Sequence, residues 1–139
     1  MSRDITKAAD LLQEFWPKLK AAYEEFHPGC ELFITHVDRT PVEQLHLFLQ
    51  GRLPADEMRK LGLPVTEKVV TWKDGFVKRS KHNAVPSLAF DVAVREGGVV
   101  SWDPALVLKI GAFVPSLGYE GRIKWGGLFA DYYHWEVIQ

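Results

Sequence analysis

A single cysteine, Cys30, is present in 139 residues. No intramolecular disulfide is therefore possible, and the fold does not require an oxidising compartment. Long apolar runs are missing as well: nothing approaches the roughly 20 residues that span a bilayer, so membrane insertion is not expected. The N-terminus, MSRDITKAAD, has no apolar stretch of the kind a secretory signal carries. The expectation is synthesis in the cytoplasm, without a signal peptide. Charge of one sign is lacking too: the net charge is −1, with both signs mixed along the chain, which argues against a nucleic-acid-binding surface. Repeats, low-complexity tracts and linkers are absent. What remains, 47% apolar and 25% charged, suits one soluble domain over residues 1–139, large enough to bury a core unaided. A monomer is expected.

Apolar spacing predicts a helix over Ile5–Phe26 with a break or kink at Trp16-Pro17. A strand follows at 31–37, opened by Cys30 as a small core residue. Thr40-Pro41-Val42-Glu43 is a capping box with proline at the first helical position, and Gly51 closes that helix. A short helix fits Pro54–Leu61, and residues 63–79 read as a loop with an extended piece near Lys68–Trp72. Leu88–Val94 and Val99–Trp102 form a hairpin around Glu96-Gly97-Gly98. Asp103-Pro104 starts a helix to about Leu117, and 122–125 and 134–138 are the last strands. Without a regular βαβ alternation, the pattern predicts an α+β fold: a small, mainly antiparallel sheet with helices packed on it.

The stretch SKHNAVPSLAFDVA, Ser80–Ala93, contains the chemistry. Leu88, Phe90 and Val92 alternate with Ala89, Asp91 and Ala93, so Asp91 lies mid-strand on the small-residue side. A carboxylate there costs free energy unless a cation or several hydrogen bonds satisfy it. Zinc takes nitrogen and carboxylate ligands, and His82, Asp91 and His134 are the candidate set. His134 and Glu136 share one face of the last strand, Trp135 points the other way, and Asp131 is three residues before His134. Each residue also has a plainer reading: half-buried histidines, Asp91 paired with Arg95 or Arg39, Tyr133 and Trp135 as core. His27, His36 and His46 have weaker claims, lacking a carboxylate at useful spacing.

Ser80-x-His82, Ala89-x-Asp91 and Asp131-x-x-His134-x-Glu136 together resemble the zinc peptidase family of D-alanyl-D-alanine carboxypeptidases and L-alanyl-D-glutamate endopeptidases, which includes phage endolysins. THVDRTPVEQ (35–44), Gln50-Gly51-Arg52 and Lys124-Trp125-Gly126-Gly127 resemble further family segments in order, so the likeness spans roughly residues 30–138. Eight residues separate His82 from Asp91 where six are common in the family, and Pro86-Ser87 replaces a usual glycine. This resembles the longer ligand loop of endolysin-type members. Position 131 is aspartate, as in the endopeptidases, where carboxypeptidases carry glutamate. The resemblance implies a hedgehog/DD-peptidase-like fold and zinc on His82, Asp91 and His134. It also implies Asp131 as general base and Arg39 gripping a substrate carbonyl or carboxylate, unless Arg39 is merely a solvated residue at a helix entrance. Ser80 would contact substrate or orient the ligand loop, and Glu136 would support a ligand or form a surface ion pair. The implied activity is hydrolysis of the L-alanyl-D-glutamate bond in the bacterial peptidoglycan stem peptide, at the cell wall. The alternatives are a D-alanyl-D-alanine carboxypeptidase, or a zinc-stabilised binding domain without activity.

Overall fold

Leu12, Phe15, Leu19 and Tyr23 recur at helical spacing, and all four are fully buried along helix α1, Asp10–Phe26. A computed structural model of the chain describes residues 1–138. A short 3-10 turn, Ile5–Lys7, precedes α1, and α1 runs through Pro17 without the expected break. Pro17 is on the exposed side, where water can take the Gln13 carbonyl that proline leaves unbonded.

Among the described residues the sheet has five antiparallel strands: β1 Cys30–His36, β2 Ala89–Glu96, β3 Val99–Ser101, β4 Ile123–Trp125 and β5 His134–Val137. Their order is β1-β2-β5-β4, with β3 pairing the far half of β2 through a turn at Gly97-Gly98. Both turn glycines have positive φ (59° and 81°), the conformation such a tight hairpin needs. The architecture is α+β, as the sequence predicts. Phe90, Val92 and Val94 of β2, Leu32 of β1, Ile123 of β4 and Trp135 of β5 pack in one cluster with the buried face of α1. Phe15 anchors it, with ring centroids 4.9 Å from Tyr119 and 5.5 Å from Trp135.

Because side chains alternate across a strand, burying Phe90 and Trp135 beneath α1 turns Asp91 and His134 to the opposite face. Register completes the arrangement: Phe90 pairs with Trp135 and Asp91 with His134, so the two polar side chains stand directly across from each other. Helix α2, Pro41–Leu49, and helix α3, Ala55–Lys60, follow β1. The capping box on Thr40 and Glu43 forms as read.

Residues 63–79 form a loop, as expected, with no strand at 68–72; Gln44 Nε2 ties its middle down by donating to the Lys73 carbonyl at 2.8 Å. One further expectation is corrected. The helix expected over 104–117 breaks into 3-10 turns at Pro104–Leu106 and Ile110–Ala112 and one turn of helix α4, Phe113–Ser116. Pro115 cannot bond back to Gly111, and Gly111 lies flat on the Trp125 ring, where a β-carbon would come within 2.2 Å.

Candidate metal centre

Three chain segments supply the site. Ser80 caps a 3-10 turn, Lys81–Asn83: its hydroxyl accepts from the His82 amide while Asn83 Oδ1 accepts from the Ser80 amide. Asn83 Nδ2 donates to the Arg39 carbonyl at 2.9 Å, and the Arg39 amide donates to the His82 carbonyl at 2.9 Å. The turn that presents His82 is thus locked to the segment that presents Arg39. Strand β2 supplies Asp91, and β5 supplies His134.

One ligand atom from each of His82, Asp91 and His134 lies within 4.8 Å of the others. His82 is buried, with Nδ1 2.7 Å from the Val37 carbonyl. A carbonyl only accepts, so Nδ1 carries the proton and Nε2 faces inward, 3.3 Å from Asp91 Oδ1. His134 is turned the other way round: Nε2 lies 3.1 Å from Glu136 Oε1, and Nδ1 faces Asp91 Oδ1 at 2.9 Å. With both outer nitrogens committed as donors, two inner lone pairs would point at a carboxylate oxygen. Positive charge between them resolves this, supplied by a proton or a metal cation. Ligand atoms about 2.0–2.2 Å from one tetrahedral zinc stand about 3.3 Å apart, so the spacing and the two-imidazole, one-carboxylate donor set fit a divalent cation.

Without a metal, the proton takes that place. Burial pushes the His134 imidazole down, but its hydrogen bonds to Asp91 and Glu136 outweigh this and raise its pKa to about 9. Burial pushes Asp91 up, yet the hydrogen bonds and charge of His134 and His82 hold it well below the usual carboxylate range. Glu136 falls to about 2, chiefly through its hydrogen bond to His134, with Lys81 assisting.

These groups line a cleft of about 360 Å³ with Arg39, Gln44, Lys73, Ser80, Phe129 and Asp131 among its walls. Arg39 is not a solvated side chain: it is 12% exposed, 4.0 Å from Asp91 Oδ2 and 2.7 Å from Gln44 Oε1. Asp131 keeps solvent-accessible surface on the cleft wall. Its carboxyl is raised above the ordinary value by partial burial, against the pull of His134 and with the repulsion of Asp91. The turn Gly126–Phe129 and left-handed Ala130 (φ 62°) place it, the Asp131 amide donating to the Gly126 carbonyl at 3.0 Å. Gly126 has no room for a side chain: a β-carbon would come within 2.5 Å of the Asp131 carbonyl and 3.0 Å of His134 Cβ.

Other assignments sort cleanly. Trp135 is core. Of the two arginines expected beside Asp91, Arg95 meets Glu31 instead, while Arg39 lies near Asp91 Oδ2. Cys30 opens β1 half-buried beside the core. Sequence reading missed Gln44, 1% exposed, which bridges Arg39 to the Lys73 carbonyl, and Asn83, which ties the two walls together. For Asn83 a signal existed in the Ser80-x-x-Asn83 cap pattern. It also undervalued His36, whose Nδ1 lies 3.8 Å from Asp91 Oδ2. An irregularity between Ile34 and His36 sets His36 opposite Asp91; a regular strand would have put Thr35 there.

No protein-family model and no curated protein matches the chain. Among solved structures it is similar to the L-Ala D-Glu endopeptidase ChiX of Serratia marcescens, at 21% identity and a TM-score of 0.47, over 88% of this chain and 79% of that one.

Proposed function

We propose that the cleft is the active site of a zinc-dependent peptidase that cleaves the L-alanyl-D-glutamate bond of the peptidoglycan stem peptide, in the manner of a phage-type endolysin. The observation that carries this reading is the convergence of His82 Nε2, Asp91 and His134 Nδ1 in one cleft with a carboxylate, Asp131, and a guanidinium, Arg39. His82, Asp91 and His134 would hold the metal. A zinc ion there supplies Lewis acidity and lowers the pKa of a water it holds to about 7.

The remaining work falls to the chain. Asp131 takes the proton of the attacking water and returns it to the leaving amine. Its raised pKa brings it closer to neutral pH, which suits a group that must both accept and donate. Arg39, held by Gln44, offers donors to the oxygen that gains charge as the carbonyl carbon becomes tetrahedral. The cations lining the cleft are Arg39 and Lys73, and they complement the carboxylates that surround an alanyl-glutamyl bond. Strand face and turn fix these groups before substrate arrives, which lowers the reorganisation needed at the moment of reaction.

The test is digestion of purified peptidoglycan by zinc-loaded protein, with the fragments read by mass spectrometry. A new N-terminal D-glutamate, lost in His82→Ala, is expected. Release of terminal D-alanine instead, or no cleavage by fully loaded protein, would overturn the assignment.

A further inference from the structure

Glu136 and Lys81 belong to no step of the proposed reaction, yet they join the two histidine-bearing segments. Glu136 is two residues beyond His134, and Lys81 immediately precedes His82. Glu136 Oε1 lies 3.1 Å from His134 Nε2, while Oε2 lies 2.9 Å from Lys81 Nζ. Lys81 Nζ also donates to the Val137 carbonyl. The side chains of His134, Glu136 and Lys81 are only 14%, 22% and 28% exposed, so solvent competes weakly for these contacts.

We propose that Glu136 is a positioning residue that fixes the ring orientation and tautomer of His134 so that Nδ1 faces a divalent cation, with Lys81 holding Glu136 in place. This rests on the reading of the cleft as a metal site. The chemistry follows from donor counting. A neutral imidazole has one N–H and one lone pair, and a carboxylate only accepts. Glu136 therefore draws the N–H to Nε2 and leaves the Nδ1 lone pair turned inward. On His82 the Val37 carbonyl does the reverse, protonating Nδ1 and freeing Nε2. Two acceptors outside the site thus select opposite nitrogens on the two rings. Lys81 engages the second oxygen of Glu136, which keeps the first directed at His134 and ties β5 to the turn carrying His82.

Zinc affinity, measured by competition with a chromophoric chelator, tests this on the full chain. Glu136→Ala should bind zinc about 10–100-fold more weakly than wild type, the usual cost of losing such an outer partner. Lys81→Met, which keeps the acceptor and removes only what holds it, should lose clearly less than Glu136→Ala. The decisive variant is the swap Lys81→Glu with Glu136→Lys. It restores an ion pair between the two positions, but an ammonium can only donate, so it would claim Nε2 as acceptor and drive the proton onto Nδ1. The swap should bind zinc no better than Glu136→Ala. The visible absorption of the cobalt-loaded protein should change strongly in both Glu136 variants and less in Lys81→Met. Recovery of wild-type affinity by the swap would reduce the pair to a simple ionic tie and overturn the proposal, as would equal losses in Glu136→Ala and Lys81→Met. If the swap does not fold, the contrast between those two single variants decides the question. Failure of the underlying reading looks different: zinc would bind wild type and His82→Ala alike.

Discussion

In the metal-free protein one proton stands where a cation would, and its removal should be measurable as lost stability. The perturbation is a rise in pH. His134 has a folded pKa of about 9 against an ordinary 6.5, a gap equivalent to about 3 kcal/mol at about 1.4 kcal/mol per unit. The folded value is the raised one, so the contribution is fully present below pH 6.5 and is lost as pH climbs through 9. Between pH 6.5 and 8.5 the loss integrates to about 2 kcal/mol, which for a domain of this size lowers Tm by roughly 6–8 °C. The lowered pKa values of Asp91 and Glu136 reflect the same contacts seen from their partners, so they are not added. That window also ends before Cys30, raised by burial, begins to titrate.

A metal reverses the dependence, because it must displace the proton from Nδ1. Apparent zinc affinity should therefore climb toward tenfold per pH unit below about 9, and the Tm gap between zinc-loaded and chelator-treated protein should widen from pH 6.5 to 8.5. Differential scanning fluorimetry of both forms across that range provides the assay. His134→Gln, with nothing to titrate, should flatten the metal-free slope. A metal-free Tm that holds steady or rises over the window in wild type would refute the shared-proton arrangement.

Three further outcomes follow from named contacts. Asp131→Asn should keep its zinc and lose about 10²–10⁴-fold in turnover, since it removes the proton acceptor and little else; zinc lost with the substitution would make Asp131 a ligand. Arg39→Lys should cost about 10²-fold or more in turnover, because a point ammonium cannot hold Gln44 and face substrate at once; unchanged turnover would remove Arg39 from the reaction. Gly126→Ala should destabilise by about 1–3 kcal/mol and weaken zinc binding, as its methyl group forces the Asp131 turn away from His134; wild-type melting and affinity would show that this turn gives way freely.

What the sequence made legible was whatever depends on parity. Alternation along β2 placed Asp91 opposite Phe90 and Val92, and alternation along β5 placed His134 and Glu136 opposite Trp135. Once two strands with these faces pair in register, Asp91 and His134 must meet, whereas His82 is brought to them by the turn Lys81–Asn83. The sheet, the hairpin at Gly97-Gly98 and the Thr40 cap were readable for the same reason: each is written within a few consecutive residues. Where a long-range contact decides, local pattern fails. Gln44 looks like any polar residue of a short helix until the Lys73 carbonyl, 29 residues away, comes within 2.8 Å. His36 falls on the wrong face until a single irregularity in β1 turns it toward Asp91. The helix expected over 104–117 had suitable apolar spacing, with Val107, Ile110 and Val114 all buried, but Pro115 and the Trp125 ring against Gly111 override it.

The functional consequence is a division of labour between readable and unreadable parts. Strand parity brings Asp91 and His134, two of the three proposed ligands, to one face. Contacts outside that set decide which nitrogen of each ring is offered: the Val37 carbonyl on His82 and Glu136 on His134. They also decide whether Arg39 faces Asp91 or solvent. A variant that preserves every ligand can therefore still lose the site through Glu136, Gln44 or Asn83, since each holds a ligand or a charge in the one orientation that is useful.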